Sequence, residues 1–453
     1  MPRAELLILG AALIASPLAA QQAKAPAPYT LAIAAGYKAA ITCSAIFIGG
    51  RTEAQIAKDE LSGIYPEYDA IVPTLEAKVD ARTGTVTVAF DPALPPRRAV
   101  FHPGTGCTNE PIGAVAPPVT AVYAKLGPAP ADPALWPLGD SLPRMAYPPI
   151  PAVGKALAGG YGGKTTGVVV LRGKRLIAES YAEGFGPFTA QRTWSVAKSI
   201  TGTLVGIAVK DGRVRIDAQV RIPAWDAEPF ANARRHITLD NLMRMASGLH
   251  SDTAGNRTDA VYFGGTAVTE ETVHWPVEAK PGTRFRYANN DILLAMLTLR
   301  AALSEERHRD FPARALFDRI GMKHTVAETD WQGNYISSSQ VWTTARDLAR
   351  FGLLYLDDGV WNGERILPEG WRTYVTTPSG PQPASGVGYG ATFWLMNKVP
   401  GVPADTFSAN GNRGQYVVIV PSRGIVIVRR GEDPASSGFD ISKFTADVLA
   451  EVK

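Results

Sequence analysis

The sequence has few of the features that mark metal, nucleic-acid or membrane proteins. None of its six histidines forms a His-x-x-x-His or His-Glu-x-x-His pair, so neither a metal nor a cofactor is predicted. The formal net charge is only +4, and no run of Lys and Arg interleaved with aromatics suggests a nucleic-acid partner. After the first twenty residues, no stretch offers the roughly 18 uninterrupted apolar residues of a transmembrane helix. The chain also has no Gly-x-Ser-x-Gly elbow, which argues against an α/β-hydrolase.

The first twenty residues have the order of an export signal. Arg3 precedes an apolar stretch from Leu6 to Ala15, which is followed by Pro17 and small residues. Cleavage after Ala20 is predicted, while Glu5 leaves a lipid-facing anchor as an alternative, and a buried first helix is a third. The mature protein is therefore expected in the periplasm or outside the cell.

Cysteine is scarce, and the expected location outside the cytoplasm bears on whether the two cysteines, Cys43 and Cys107, are bonded. An oxidising compartment lets a pair of thiols persist as a disulfide. We predict a Cys43–Cys107 disulfide in preference to two free buried thiols.

The chain divides into four predicted segments, beginning with the signal peptide over residues 1–20. Residues 21–113 are predicted to form a small α+β extension, with a helix in "RTEAQIAKDEL" and a hairpin turning at Thr83-Gly84. Residues 114–150 are rich in proline and read as an extended connector. Residues 151–453 form the candidate catalytic domain, which has strands near both ends and helical patterns between them.

Two hairpins frame this last segment. One turns at Arg172-Gly173-Lys174 and the other at residues 421–424, and an amphipathic helix follows from Ile441 to Val452. The pattern predicts an α/β (α+β) domain in which a sheet is closed by both chain ends and a helical domain is inserted. A cleft between the two parts is the expected site.

The stretch "RTWSVAKSITG" contains the first chemistry-bearing pair. Apolar residues at helical spacing predict a helix over about 196–210, with Ser195 at its first turn. Residues three apart share a helix face, so Lys198 would reach the Ser195 hydroxyl. Alone this signal is weak, because about one serine in twenty has a lysine three residues later and serine is a common N-cap.

Two further pieces follow in order. In "PGTRFRYANND", Tyr287 and Asn289 precede an apolar helix, and a tyrosine beside a cation can have a lowered phenol pKa and pass a proton. Asn289 offers an amide to hold the lysine or a substrate carbonyl. In "FSANGNRGQYVVIVP", a strand entered through glycines can lend a backbone N–H to an oxyanion. Each piece alone also fits an ordinary structural role.

In this order the three pieces resemble the penicillin-recognising serine hydrolases, which include class C β-lactamases and D-alanyl-D-alanine carboxypeptidases. The motifs "WPLGD", "ESYAEGFGPFT", "WSVAKS", "LMRMASGL" and "PGTRFRYANND" are most similar to the 6-aminohexanoate-dimer hydrolases. The resemblance covers about residues 135–450. It implies a serine β-lactamase-like fold, with an antiparallel sheet flanked by helices.

The resemblance also implies roles for individual residues. Ser195 would be the acylated nucleophile, Lys198 its general base and Tyr287 the proton shuttle to the leaving group. Asn289 would orient the lysine or the substrate. Counting back from Gly414-Gln415-Tyr416 points to the N–H of Ala409 as the second oxyanion donor.

One departure from the family pattern bears on the substrate. Where β-lactamases and carboxypeptidases carry Lys-Thr-Gly or His-Thr-Gly, this chain has residues 406–408, Thr-Phe-Ser, so the cation that grips a carboxylate is missing. Arg413 is a candidate replacement, although a solvated surface charge is the alternative. The predicted function is hydrolysis of a small ester or amide, with a β-lactamase or carboxypeptidase, or a non-catalytic binding protein, as alternatives. The sequence does not indicate an oligomeric state.

Overall fold

The computed structural model describes residues 26–114, 130–143, 147–226, 233–251, 258–435 and 437–452. The predicted signal peptide, its cleavage site and part of the predicted connector lie outside these ranges. The described parts of the connector, 130–143 and 147–150, contain no helix and only an isolated bridge between Leu135 and Ser141.

An N-terminal layer of helices and a small sheet precedes the catalytic region. Its four strands form one antiparallel sheet in the order β1-β2-β3-β4. The predicted helix and the predicted hairpin are both present, as α2 and as β1 with β2. The elements are α1 (Pro28–Phe47), α2 (Glu53–Asp59), α3 (Pro66–Asp69), β1 (Ala77–Asp80), β2 (Thr85–Val88), β3 (Arg97–His102) and β4 (Gly106–Asn109).

Helix α1 is the longest helix of the layer and was not predicted from the sequence. Its length and hydropathy would suit a membrane span, but 72% of its most apolar window is buried inside the protein, as in a core helix. Gly36 allows close packing, since a Cβ there would lie 1.9 Å from the Phe263 carbonyl oxygen. The layer therefore packs directly against the catalytic region.

The predicted disulfide is confirmed. Cys43 in α1 and Cys107 in β4 are bonded, with Cα atoms 6.1 Å apart, and the two residues are 64 positions apart in sequence. Both half-cystines are buried beneath the small sheet, so the bond ties α1 to β4.

The catalytic region is built on a seven-stranded antiparallel sheet, in the order β12-β13-β14-β15-β16-β5-β6. Both predicted hairpins are present, as β5 with β6 and β15 with β16, and so are the helices predicted near 196–210 and 441–452. The seven strands of this sheet are β5 (Thr165–Arg172), β6 (Arg175–Tyr181), β12 (Gly388–Tyr389), β13 (Trp394–Leu395), β14 (Phe407–Gly411), β15 (Gln415–Val420) and β16 (Ile425–Gly431). A smaller sheet has the order β7-β9-β8 and consists of β7 (Gln191–Arg192), β8 (Val326–Ala327) and β9 (Val341–Thr343), and β10 (Val360–Trp361) pairs with β11 (Glu364–Arg365).

Helices cover both faces of this sheet. Inward-pointing residues alternate between two cores, because successive side chains of a strand point to opposite faces. Val168 and Val170 face the core formed with α4 and α13, whereas Val169 and Leu171 face the larger core formed with α5 and α11. The helices are α4 (Pro151–Leu157), α5 (Val196–Lys210), α6 (Leu239–Met243), α7 (Asp259–Tyr262), α8 (Val268–Glu271), α9 (Asn289–Ala302), α10 (Glu305–His308), α11 (Ala345–Leu356), α12 (Trp371–Thr376) and α13 (Ile441–Glu451).

Candidate active site

Ser195 stands immediately before α5, but its side chain does not cap the helix. Its backbone is already in the right-handed helical region, and its hydroxyl makes no capping hydrogen bond. Instead the Ser195 Oγ lies 2.9 Å from the Nζ of Lys198. The two side chains are therefore in hydrogen-bond contact, as the Ser-x-x-Lys spacing predicts.

The residue before Ser195 has a strained backbone. Trp194 has a φ of 51°, in the left-handed region that a bulky residue rarely adopts, at a cost of about 1–3 kcal/mol. The Arg192 guanidinium lies 3.8 Å from the centroid of the Trp194 ring and stabilises it by a cation–π contact. This turn carries Ser195 from the short strand β7 into the first turn of α5.

Lys198 is almost completely buried, with 1% of its surface exposed, and its Nζ makes three hydrogen bonds. The nitrogen lies 2.9 Å from Ser195 Oγ, 2.7 Å from Asn289 Oδ1 and 2.9 Å from the Ser338 carbonyl oxygen. Burial, assisted by the positive charge of Arg192, lowers the pKa of Lys198 to about 7. A neutral amine can still donate to Asn289 and Ser338 while it accepts the Ser195 proton.

Tyr287 lies beside both Ser195 and Lys198. Its ring centroid lies 5.0 Å from the Lys198 Nζ, and its hydroxyl is hydrogen-bonded to Ser195. The expectation that a nearby cation lowers its phenol pKa is wrong here, because burial raises the pKa of Tyr287 above its ordinary value. Tyr287 therefore stays a neutral phenol, whose hydroxyl can accept one hydrogen bond while it donates its own proton to another group.

The end of strand β14 approaches Ser195, but at a different residue from the one predicted. Ala409 is fully buried in the main core and pairs with Val417, whereas Gly411 reaches the nucleophile. A Cβ on Gly411 would lie 2.3 Å from the Thr193 carbonyl oxygen and 3.2 Å from the Ser195 backbone nitrogen. The residue of β14 that faces Ser195 is therefore Gly411, two positions after the predicted Ala409.

Arg413 fits neither of its predicted roles, since it is not a solvated surface charge and does not line the cleft. It is buried, and its guanidinium is in contact with Glu432 and 3.7 Å from Glu60. Its Nε also donates to the Asp433 carbonyl oxygen at 3.1 Å. The charge is neutralised inside the protein, and burial beside two carboxylates keeps this guanidinium from reaching a substrate.

Ser195 opens onto a cleft of about 720 Å³. Among the described residues that line the cleft, Asp259 is the only acid, and none is Lys, Arg or His. Sequence reasoning missed most of these residues, including Ile64, Tyr65 and Pro66 from the N-terminal layer, which no motif marks. The lining residues are Ile64, Tyr65, Pro66, Trp194, Ser195, Asp259, Tyr262, Tyr287, Asn289, Ser339, Ser385, Gly386, Val387, Trp394, Asn410, Gly411, Asn412 and Tyr416.

No metal ligand set accompanies the serine–lysine pair in the part of the chain that the structure describes. Within those residues, His, Cys, Asp and Glu form no group of three or more that could hold a metal ion.

Comparison with known families agrees with this fold. The family model described as Beta-lactamase matches residues 154–430, which is more than half of the chain. The chain belongs to the β-lactamase family and is a serine hydrolase.

Individual relatives share the catalytic region. The 6-aminohexanoate-dimer hydrolase of Paenarthrobacter ureafaciens is 25% identical over 312 residues, covering 60% of this chain and 73% of that protein. Penicillin-binding protein 4 of Amycolatopsis lactamdurans is 26% identical over 272 residues, covering 51% and 69%. A solved structure described as "Putative 6-aminohexanoate-dimer hydrolase from Bacillus anthracis" has a TM-score of 0.55 at 21% identity, covering 66% of this chain and 81% of its own. A class C β-lactamase has a TM-score of 0.50 at 14% identity, covering 67% and 95%. The two structural likenesses establish the fold.

Proposed function

We propose that this protein is an exported serine hydrolase that cleaves a small ester or amide through an acyl-enzyme on Ser195. The observation that carries the proposal is the contact between Ser195 Oγ and the buried Lys198 Nζ, at 2.9 Å. A lysine whose pKa is about 7 is about half neutral at pH 7 and largely neutral above about pH 8, so it can act as a general base.

In the acylation step, the Ser195 oxygen attacks the substrate carbonyl carbon while its proton passes to Lys198. The resulting oxyanion is held by the Ser195 N–H and by backbone N–H groups at the end of β14, around Gly411 and Asn412. As the bond to the leaving group breaks, Tyr287 donates its proton to the departing oxygen or nitrogen and is reprotonated from Lys198. Because the pKa of Tyr287 is raised, the tyrosine relays protons and the lysine is the base.

Deacylation reverses the roles. Water attacks the ester of Ser195, its proton passes through Tyr287 to Lys198, and the acid leaves as Ser195 recovers its own proton. Asn289 keeps the lysine in place throughout, because its Oδ1 lies 2.7 Å from the Nζ and accepts a hydrogen bond from the neutral amine and from the ammonium alike.

The charge of the cleft supports a substrate that is neutral or positively charged near the reacting bond. Its described lining contains the carboxylate of Asp259 and no basic side chain. A carboxylate such as that of a penicillin would meet no opposite charge among the described lining residues, and Arg413 is already paired with Glu60 and Glu432. A simple ester or an uncharged amide fits this surface better than a β-lactam acid.

Export is supported by the order of residues in positions 1–20 and by the Cys43–Cys107 disulfide, a bond that persists in oxidising compartments. We expect the mature chain in the periplasm or secreted. Intact-mass analysis of protein recovered from the periplasm and the medium checks this, with a mature N-terminus at Gln21 as the expected result. A full-length chain confined to the cytoplasm would contradict export.

The first test of the chemistry is the intact mass after exposure to a fluorophosphonate, with Ser195→Ala and Lys198→Ala in parallel. We expect one adduct on the wild-type chain and none on either variant. Labelling of Ser195→Ala would refute the assignment of the nucleophile, and no labelling of the wild type would favour a non-catalytic binding protein.

A second test ranks substrates. Nitrophenyl esters, short amides and a chromogenic cephalosporin are compared by kcat/KM with the same enzyme sample. We expect the esters to lead, and a cephalosporin that rivals them would instead assign the protein as a β-lactamase.

A further inference from the structure

One wall of the candidate active site comes from outside the region that matches the family. Ile64, Tyr65 and Pro66 line the same cleft as Ser195, whereas the family match begins at residue 154. Ile64 and Tyr65 lie in the link between helices α2 and α3 of the N-terminal layer, and Pro66 is the first residue of α3. The cleft is therefore composite, and this wall is a feature of the present chain.

The wall rests on the turn that carries the nucleophile. The Tyr65 ring lies 6.2 Å from the Trp194 ring, measured between centroids, and Trp194 directly precedes Ser195. Edge-to-face contacts with Phe263 at 5.5 Å and with Tyr37 at 5.0 Å hold the same ring from other sides. Tyr65 is 7% exposed, so its ring is fixed by packing.

The backbone and the neighbouring side chains are also tied down. The Gly63 N–H donates to Asp69 Oδ1 at 3.0 Å, and the Gly63 carbonyl oxygen accepts from Ala435 N–H at 3.2 Å. The Tyr68 hydroxyl donates to Asp259 Oδ2 at 2.7 Å, and Asp259 itself lines the cleft. The residues on either side of the wall are thus hydrogen-bonded to the catalytic region, Gly63 to Ala435 and Tyr68 to Asp259.

Ion pairs, most of them between buried side chains, anchor the end of helix α2, which leads into the wall. Asp59 Oδ2 lies 2.6 Å from a guanidinium nitrogen of Arg51, and its other oxygen accepts from Lys164 of the catalytic region. Glu60, the next residue, lies 3.7 Å from Arg413, which follows the cleft-lining Asn412. Movement of the wall would break these buried contacts, so the wall is preorganised and not a loose flap.

We propose that Ile64–Pro66 is a specificity-determining wall that limits the size of the group that can be bound beside Ser195. The inference rests on the proposed function, that Ser195 cleaves an ester or amide in this cleft. A rigid wall discriminates by excluding atoms, and one methylene in a hydrophobic pocket typically changes kcat/KM by about tenfold or more. Aromatic and apolar residues in a wall of this kind favour an uncharged hydrocarbon group of limited length.

The test uses two variants that change the wall in opposite directions. Tyr65→Ala removes a ring from the cleft, and Pro66→Trp adds one at an exposed position at the start of α3. The matched control is Glu67→Trp, which adds the same ring at the next position, an exposed residue that does not line the cleft. Each protein is assayed for kcat/KM with nitrophenyl acetate, butyrate, hexanoate and phenylacetate, and with acetate esters of alcohols of increasing size.

We expect Tyr65→Ala to raise the preference for large over small substrates by about tenfold or more in at least one of the two series. Pro66→Trp is expected to lower the same preference by a similar factor, and Glu67→Trp to leave it within about twofold of wild type. Thermal unfolding of each variant shows whether it is folded. If Tyr65→Ala does not fold, the comparison of Pro66→Trp with Glu67→Trp carries the test.

The outcomes separate this inference from the proposed function. If the wild type forms a fluorophosphonate adduct and Pro66→Trp has the selectivity of Glu67→Trp in both series, the wall does not select substrates and the inference is overturned. If the wild type forms no adduct and cleaves no ester, the proposed function fails, and the inference fails with it.

Discussion

Replacing Asn289 with aspartate should move the pH dependence of Ser195 acylation to higher pH. The Asn289 Oδ1 lies 2.7 Å from the Lys198 Nζ, so Asn289→Asp puts a negative charge against the ammonium form with almost no change in shape. An opposite charge at this distance typically raises the pKa of an amine by about 1–3 units. Lys198 would then stay protonated, and unable to accept the Ser195 proton, at neutral pH.

The size of the effect follows from the pKa of Lys198, which burial lowers to about 7. With that value, the neutral fraction of the wild-type lysine rises from about 9% at pH 6 to about 91% at pH 8, and the acylation rate should rise about tenfold. If the carboxylate raises the pKa by about two units, only about 1% is neutral at pH 7, and acylation there slows about fiftyfold. The lost rate should return as the pH approaches about 10.

The assay is the rate of fluorophosphonate labelling of wild type and Asn289→Asp from mildly acidic to alkaline pH, followed by intact mass. Asn241→Asp is the control, because it adds the same charge at a helix start, where the present side chain bonds to Thr238. We expect its profile to match that of wild type. A midpoint for Asn289→Asp equal to that of wild type would refute Lys198 as the base that controls the rate.

Three further predictions test the surrounding structure. Gly411→Ala would bring a methyl group 3.2 Å from the Ser195 nitrogen, and we expect kcat to fall at least about a hundredfold in a folded protein, as when an oxyanion donor is lost. Replacing Cys43 and Cys107 together with serine should lower the free energy of unfolding by about 4 kcal/mol, measured by chemical denaturation, since the bond spans 64 positions. Lys198→Met should stabilise the fold at pH 7, because the lowered pKa of Lys198 means that the native state resists a proton that the unfolded chain binds. This advantage should shrink as pH rises from about 7 towards 10.5, and an advantage independent of pH would contradict the lowered pKa.

Much of the fold could be predicted because it is encoded locally. The hairpin around Gly173 combines two β-rich runs with a tight turn, and helix α5 has apolar residues at helical spacing. The spacing of Ser195 and Lys198 is local too, since three residues on a helix bring the side chains together whatever surrounds them. The sequence does not show how close Tyr287 lies to Ser195, because the two are far apart in the chain. Only the resemblance to a family predicts that they meet.

Features that depend on distant partners could not be predicted. Helix α1 is buried on most sides, so it lacks the single apolar stripe that marks an amphipathic helix. The pKa of Tyr287 is raised because the surrounding residues exclude water, and burial at one position cannot be calculated from the motif around it. The position of Tyr65 in the cleft could not be predicted for the same reason, since its ring contacts Trp194 and Phe263, which are more than a hundred positions away in the sequence.

Arg413 shows how the two layers and the substrate preference are connected. A lone guanidinium beside the oxyanion strand would attract carboxylates, and the sequence alone allowed that role. In the structure, Arg413 lies against Glu432, the residue that follows β16, and near Glu60 of the N-terminal layer. All three side chains are buried. A buried charge is stable only with such partners, so the N-terminal layer helps to keep this cation inside the protein. The same layer places Tyr65 in the lining of the cleft, so it contributes both to the burial of a positive charge and to an aromatic wall beside Ser195.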